Sequence, residues 1–288
     1  MTRLSPRHPR YRSLRTRAHL AEATRRGLVV PEGLIAQGRA EAFDYLLGER
    51  TSPSARAATR AAAAWLANAR HPVLSVNGNV AALASPAIAR LVARLPSLRV
   101  EVNLFHRTSK RAELVADELR RGGVTAVLGV RPSATLPGLP SDRARIDRTG
   151  IAKADLCLVP LEDGDRTEAL RAAGKRVIAI DLNPLSRTAR SADLPIVDEL
   201  TRVLAHLAED LPRALARRRP GVFPPFDRAA ALRAASDELT RGLRRAARRA
   251  RPTRASRRSP PGGAGRRRRA PSRGRRRPRR SPSRPRPL

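Results

Sequence analysis

The segment VIAIDLNPLSRTA (177–189) opens on an apolar run and then places Asp181, Asn183, Ser186, Arg187 and Thr188 within eight positions. Three other stretches repeat the pattern of apolar residues followed by polar ones. SVNGN (75–79) supplies Asn77, Gly78 and Asn79, and VNLFHRT (102–108) supplies Asn103, His106 and Arg107. VPLEDGDRT (159–167) supplies Glu162, Asp163, Asp165, Arg166 and Thr167. Guanidinium and hydroxyl groups beside backbone N–H at a helix start suit phosphate. Carboxylates beside them suit a Mg²⁺ ion shared with phosphate oxygens, or a ribose or an amine. Taken together the groups read as a site for a polyphosphate and its metal. Each stretch alone has a plainer reading. Asn-Gly-Asn is a good turn, Asp163-Gly164-Asp165 can turn the chain and cap a helix, Arg187 and Thr188 can be surface residues, and His106 can be structural. The argument for a site is the recurrence at four successive candidate strand ends, because ligands of open parallel sheets bind at the carboxyl ends of the strands.

The elements that must position these groups follow from periodicity. Residues 9–27, 34–47 and 55–69 read as helices, the last with serine and proline at its start. From residue 72 strands alternate with helices. Strands are expected at 72–77, 98–104, 125–130, 155–160 and 176–181, and helices at 79–95, 109–123, 166–174 and 198–211. A Pro-, Ser- and Arg-containing loop fills the interval to about 148. The fold class is therefore α/β, a Rossmann-like parallel sheet flanked by helices. Residues 1–70 form an N-terminal helical arm packed on a core of 71–212, a further helix lies within 213–245, and 246–288 form a disordered basic tail.

Composition narrows the class. The formal charge is +35, but residues 241–288 hold 21 Arg and no Lys, Asp or Glu, leaving +14 for the first 240. The single cysteine, Cys157, sits in the apolar run ADLCLVP and reads as a buried strand thiol. No intrachain disulfide can form, which points to the cytoplasm. The basic N-terminus lacks the apolar stretch of a secretory signal, and no apolar run approaches a membrane span. There is no G-x-x-x-x-G-K-[ST], no G-x-G-x-x-G after a strand, no His/Cys cluster for zinc and no G-x-S-x-G elbow.

In order along the chain, RHPRYRSL (7–14), EGLIAQGRAEAFDYLLGE (32–49), SVNGNVAAL (75–83), EVNLFHRT (101–108), VLGV (127–130), VPLEDGDRTEAL (159–170) and IAIDLNPLSRTA (178–189) resemble the archaeal phosphopantothenate synthetase family, also called 4-phosphopantoate–β-alanine ligase. The resemblance implies an α/β homodimer that uses ATP, with Mg²⁺ expected, to join 4-phosphopantoate to β-alanine in coenzyme A biosynthesis. The carboxylate of phosphopantoate is activated as an acyl-adenylate with release of pyrophosphate. β-Alanine then displaces AMP. Carried over residue by residue, the nucleotide contacts fall on Arg17, Arg39, Asp181, Leu182, Asn183, Arg187, Thr188, Glu199 and Leu200. Glu199 stands where the family pattern leads one to expect asparagine, a departure that leaves the backbone of Leu200 as the contact there. On this carry-over Asp181 and Asn183 meet ribose or base, while Arg187 and Thr188 meet phosphate. Asn77, Asn103, Glu162, Asp163, Asp165 and Arg166 are the candidates for phosphopantoate, Mg²⁺ or β-alanine, with no spacing argument to sort them. No catalytic residue and no protein metal-ligand set is singled out.

The Arg-rich tail departs from the family. It fits a basic arm that binds nucleic acid non-specifically, an inert extension, or GC-rich DNA read out of frame. The rival readings of the whole chain are a nucleic-acid-binding α/β protein acting through that tail, and another ATP-dependent transferase that releases ADP.

Overall fold

The computed structural model of the protein describes Ser5, Arg7, His8 and residues 10–250, with only the helical backbone given for Arg249 and Ala250. Residues from 251 onward, and with them most of the expected tail, lie outside the described residues.

Three helices precede the sheet: α1 (Tyr11–Arg25), α2 (Pro31–Leu47) and α3 (Pro53–Asn68). Proline at N1 and Ser52, whose Oγ accepts from Ala55 N–H at 3.2 Å, fix the start of α3. Gly48, at φ 85°, ends α2 in the left-handed conformation. The chain then alternates through β1 (Pro72–Val76), α4 (Gly78–Arg94), β2 (Arg99–Val102), α5 (Ser109–Arg121) and β3 (Val127–Leu128). An antiparallel ribbon follows, β4 (Ala134–Thr135) paired with β5 (Arg145–Ile146), with a short 3₁₀ turn over Asp142–Ala144 between them. The chain resumes with β6 (Leu156–Pro160), α6 (Gly164–Ala172), β7 (Arg176–Ile180), α7 (Arg187–Ser191), β8 (Leu194–Ile196), α8 (Leu200–Leu215) and α9 (Arg228–Ala250).

Six strands pair in the order β3-β2-β1-β6-β7-β8, all parallel. The strand period of two sorts the core. Leu74, Val76, Leu156, Leu158, Ile178 and Ile180 face a cluster built with α1, α3, α4, α5 and α8. Val73, Cys157, Val159, Val177 and Ala179 face the other side, beneath the β4–β5 ribbon, the 150–154 turn and α6. The second face is thus covered largely by what the sequence presents as a loop. A third cluster joins Leu47 of α2, Leu182 and Val197 beyond β7 and β8, and Ala235 and Leu239 of α9.

Several expectations need correction. The strand expected at 125–130 pairs only at Val127 and Leu128. The interval to 148 contains the ribbon, and α7 and β8 occupy residues given no element from the sequence. The helix sought within 213–245 starts at Arg228 and runs to Ala250, so 246–250 continue it rather than begin a tail.

Candidate active site

Chain order reverses between β1 and β6, so their carboxyl ends diverge and open a crevice at the switch point. Asn77 bridges it. Its Oδ1 caps α4 by accepting from Val80 N–H at 3.1 Å, and its Nδ2 donates to the Leu161 carbonyl at 2.9 Å. Leu161 has φ 51°, a strained geometry for a leucine and the sign of a constrained turn. On the floor of the crevice Arg166, fully buried, donates to Ser75 Oγ at 2.9 Å and to Glu162. Arg143 binds the other oxygen of Glu162, and its Nε lies 3.2 Å from Asp163. Burial opposes the charge on Glu162, yet the two guanidinium groups hold its carboxyl below the ordinary range. Asp163 behaves oppositely: burial pushes it up despite Arg143. Asn103 is buried, and its Nδ2 holds the carbonyls of Arg143 and Arg145, each at 3.1 Å.

A second region lies at the ends of β7 and β8. Asp181 organises the loop there, accepting from Asn183 N–H at 2.9 Å and Ser186 Oγ at 2.6 Å. Asn183 in turn accepts from Leu185 N–H at 2.9 Å. Burial raises the Asp181 carboxyl, and the Arg39 charge facing it from α2 pulls the other way. Beside this loop a cavity of about 610 Å³ is lined by Arg17, His19, Asp44, Leu182, Glu199 and Arg202, among others. Arg17 pairs with Glu41 at 2.8 Å. Arg202 fastens the arm to the core, reaching Asp44 of α2 at 2.5 Å and the buried Asp198 at 2.6 Å.

The structure therefore groups Arg17, Leu182 and Glu199 around one cavity and sets Arg39 towards Asp181 beside it. It turns Arg187 and Thr188 elsewhere. Arg187 lies over Gly164 at the start of α6 and pairs with Glu168 at 2.6 Å, while Thr188 is buried and donates to the Glu162 carbonyl at 2.6 Å. The side chains of Leu182 and Leu200 are buried, so only their backbones can meet a ligand. Glu199 caps α8, accepting from Thr201 and Arg202 N–H at 2.9 and 3.1 Å. Glutamate thus performs the capping for which asparagine is the commoner choice. Of the remaining candidates, Asn77, Asn103, Glu162, Asp163 and Arg166 share the crevice. Asp165 stands in the first turn of α6 near Arg187.

Three residues that matter here were not singled out in the sequence: Arg143, Arg202 and Asp44. Arg202 follows Asp198 by four positions in the helix-start pattern and could have been read as its partner. Asp44 lies 158 positions from Arg202, and Arg143 sits in an aperiodic loop, so neither carries a sequence signal.

The fold and the site define a Rossmann-like α/β protein with an arginine-rich crevice at the switch point and a polar cavity at the adjacent strand ends. The chain matches the model of the phosphopantothenate/pantothenate synthetase family over residues 54–242, and it belongs to that family. A curated relative from Methanospirillum hungatei, named 4-phosphopantoate–β-alanine ligase, is 55% identical over 202 residues, covering 70% of this chain and 82% of its own. Relatives of the same name from Methanosarcina mazei and Thermococcus kodakarensis are 52% and 49% identical, each over 73% of this chain and 82% and 80% of theirs. Among the described residues, no helix is long and apolar enough to cross a membrane.

Proposed function

We propose that the protein is an ATP-dependent ligase that joins 4-phosphopantoate to β-alanine, giving 4′-phosphopantothenate, AMP and pyrophosphate in the route to coenzyme A. The observation that carries this reading is membership of the family, with relatives about half identical over four-fifths of their length that bear the ligase name. The geometry supports it by supplying two adjoining polar regions, one for each large anionic substrate. The nucleotide occupies the β7–β8 end, against Arg17, Arg39, the 181–183 backbone and the free N–H of Leu200 at the start of α8. Arg187 exchanges Glu168 for a phosphate oxygen, and Thr188 holds the β6 end in place.

The phosphopantoate carboxylate attacks the α-phosphorus and pyrophosphate leaves. The neutral amine of β-alanine then attacks the acyl carbon, AMP leaves, and the amine proton passes to solvent. Among the described residues no group of three His, Cys, Asp or Glu side chains could hold a metal. A Mg²⁺ ion would therefore rest mainly on nucleotide oxygens, as such ions often do, with Asp165 in the first turn of α6, which makes no ion pair among the described residues, as the nearby carboxylate. When bound, it screens the triphosphate charge. The protein is a cytoplasmic homodimer in this reading, and the exposed Ile35, Leu185 and Leu243 are apolar surface available for a contact between copies.

The test is a product assay on the full-length chain with ATP, Mg²⁺, 4-phosphopantoate and β-alanine. AMP and phosphopantothenate should form only when all are present. ADP in place of AMP would indicate a different ATP-dependent transferase, and no turnover would leave only the shared fold. Nothing among the described residues favours the nucleic-acid reading, most of whose Arg-rich stretch lies beyond them.

A further inference from the structure

Another cavity, of about 270 Å³, opens at the amino ends of β7 and β8, away from the polar regions at the carboxyl ends of the sheet. Arg176 on its rim is the first residue of β7, and the strand advances roughly 13 Å from there to Ile180. One wall is apolar and fixed by hydrogen bonds. Asn68, at the end of α3, accepts from Arg219 N–H at 2.6 Å through its side-chain oxygen and donates to the Val222 carbonyl at 2.7 Å. Its own carbonyl accepts from Gly221 N–H at 2.7 Å. Trp65 Nε1 donates to the Pro224 carbonyl at 2.9 Å, and its ring meets Phe223 edge-on with centroids 5.5 Å apart. Pro224 and Pro225 stiffen the approach to Phe226. Trp65, Phe223 and Phe226 therefore form a preformed aromatic wall.

The facing rim is cationic. Arg171, Arg176 and Arg228 line it with a single carboxylate, Asp193. Arg171 Nε and Arg176 Nη1 converge on the same Asp193 oxygen at 3.0 and 3.7 Å. The other Asp193 oxygen accepts from Val177 N–H at 2.9 Å. Arg228 makes no ion pair among the described residues, and the neighbouring Asp227 caps α9 by accepting from Ala230 N–H at 2.9 Å. Arg176 also stands over the Trp65 ring, 5.9 Å from its centroid. Arginines are common over the surface of so basic a chain, and exposed ones are ordinarily just solvated. These three differ in facing a concave aromatic wall, with only one carboxylate among them. Guanidinium groups beside flat apolar surface fit an anionic head on an apolar body.

We propose that this cavity is a binding site for a small organic anion, a carboxylate or phosphate group on a flat apolar body, distinct from the ligase site. The head meets Arg176 and Arg228, and the body lies against Trp65, Phe223 and Phe226. Arg171 holds Asp193 away from the incoming charge and is a positioning residue. The proposal stands whether or not the ligase reading does, because none of these residues belongs to the crevice or to the nucleotide end.

The experiment uses the full-length protein and phenyl phosphate, benzoate and the uncharged benzyl alcohol as probes. Trp65 is the only tryptophan of the chain, so its emission reports this cavity and not the crevice. Phenyl phosphate or benzoate should shift that emission with a Kd of about 1 mM, the scale for ligands of this size, and calorimetry should return the same constant. Benzyl alcohol should bind at least about tenfold more weakly, since it lacks the charge. Tighter binding of phenyl phosphate than of benzoate would assign a phosphate head, and the reverse a carboxylate. Arg176→Met and Arg228→Met should each weaken the Trp65-reported binding about 5- to 20-fold, with partial recovery in Arg176→Lys, and leave the ATP KM within about threefold. Three results would overturn the proposal: no binding of either anion, binding by calorimetry that leaves Trp65 emission unmoved, or wild-type affinity in both methionine variants. Benzyl alcohol binding as tightly as the anions would do so too, since the arginines would then contribute nothing.

Discussion

Replacing Gly78 with alanine adds one methyl group where the N-terminal arm meets the core. A Cβ at this position would lie 2.1 Å from the Leu28 carbonyl oxygen and 3.2 Å from Arg111 Nη2. The arginine tip can swing away, but the obstacle at 2.1 Å is main chain, and the carbonyl must retreat by about 1 Å to restore a normal contact. Alanine gains at most about 1 kcal/mol of helix propensity over glycine. Overpacking against backbone costs about 1–3 kcal/mol. The clash wins, and a net loss of about 1–2 kcal/mol lowers Tm by roughly 2–8 °C for a folded unit of this size. Leu28 lies in the connection between α1 and α2, which carry Arg17 and Arg39. Moving it displaces both arginines from the β7–β8 end, so the ATP KM should rise several-fold. Gly38→Ala is the matched control: nothing lies within 4 Å of its added Cβ, and mid-helix alanine should stabilise the protein by about 0.5–1 kcal/mol. The assay is thermal unfolding with steady-state kinetics on the three proteins. A Gly78→Ala protein as stable as the wild type would refute the packing argument. A lowered Tm with an unchanged ATP KM would refute the role of the arm in nucleotide binding.

Glu101 is buried on β2 and accepts from Asp147 and Ile151 N–H at 2.9 and 2.6 Å, and burial pushes its carboxyl up to about 7. Its contribution is thus fully present below about pH 4.5 and is lost as pH rises through 7, a change of about 3 kcal/mol. Urea unfolding at pH 5 and pH 8 should show that difference, and Glu101→Gln, whose amide must set a donor against one of two N–H groups, should be less stable and should lack it. Arg202→Met strands the buried Asp198 and the partly buried Asp44, so it should cost roughly 3 kcal/mol by chemical denaturation; a loss below about 1 kcal/mol would show that Arg202 does not fasten the arm. Arg187→Ala breaks only an exposed ion pair with Glu168 and should leave the unfolding curve nearly unchanged while raising the ATP KM or lowering kcat; unchanged kinetics would remove Arg187 from the nucleotide site.

The sequence made some parts of this architecture legible and hid others for physical reasons. β1, β6 and β7 are short apolar runs followed by polar residues, and in a parallel sheet those polar residues must fall at one edge. Hence the sequence alone places Asn77, Glu162 and Asp181 at strand ends. The edge strand β8 was not legible: it is three residues long and contains Pro195, which an edge strand tolerates and a periodicity search passes over. The five residues of α7 are too few to show a helical period. The largest omission is Arg143. It belongs to a ribbon held by two short pairings and by Asn103, so its approach to Glu162 is decided by tertiary contacts alone. The loop geometry around Asp181 and Asn183 was likewise hidden: their side-chain oxygens accept from Asn183 N–H, Ser186 Oγ and Leu185 N–H, contacts within the loop that no periodicity reports. Cys157 matches its sequence reading: burial pushes the thiol up to about 12, which leaves it no nucleophilic role.

The most direct test of the central claim follows the carboxylate oxygen of the acid. Phosphopantoate labelled with ¹⁸O in its carboxylate is incubated with the full-length protein, ATP, Mg²⁺ and β-alanine, and the products are separated and weighed by mass spectrometry. Attack on the α-phosphorus requires one labelled oxygen to leave in AMP, with none in pyrophosphate. Label in inorganic phosphate accompanied by ADP would mean attack on the γ-phosphorus, and the chain would be a ligase of another mechanism.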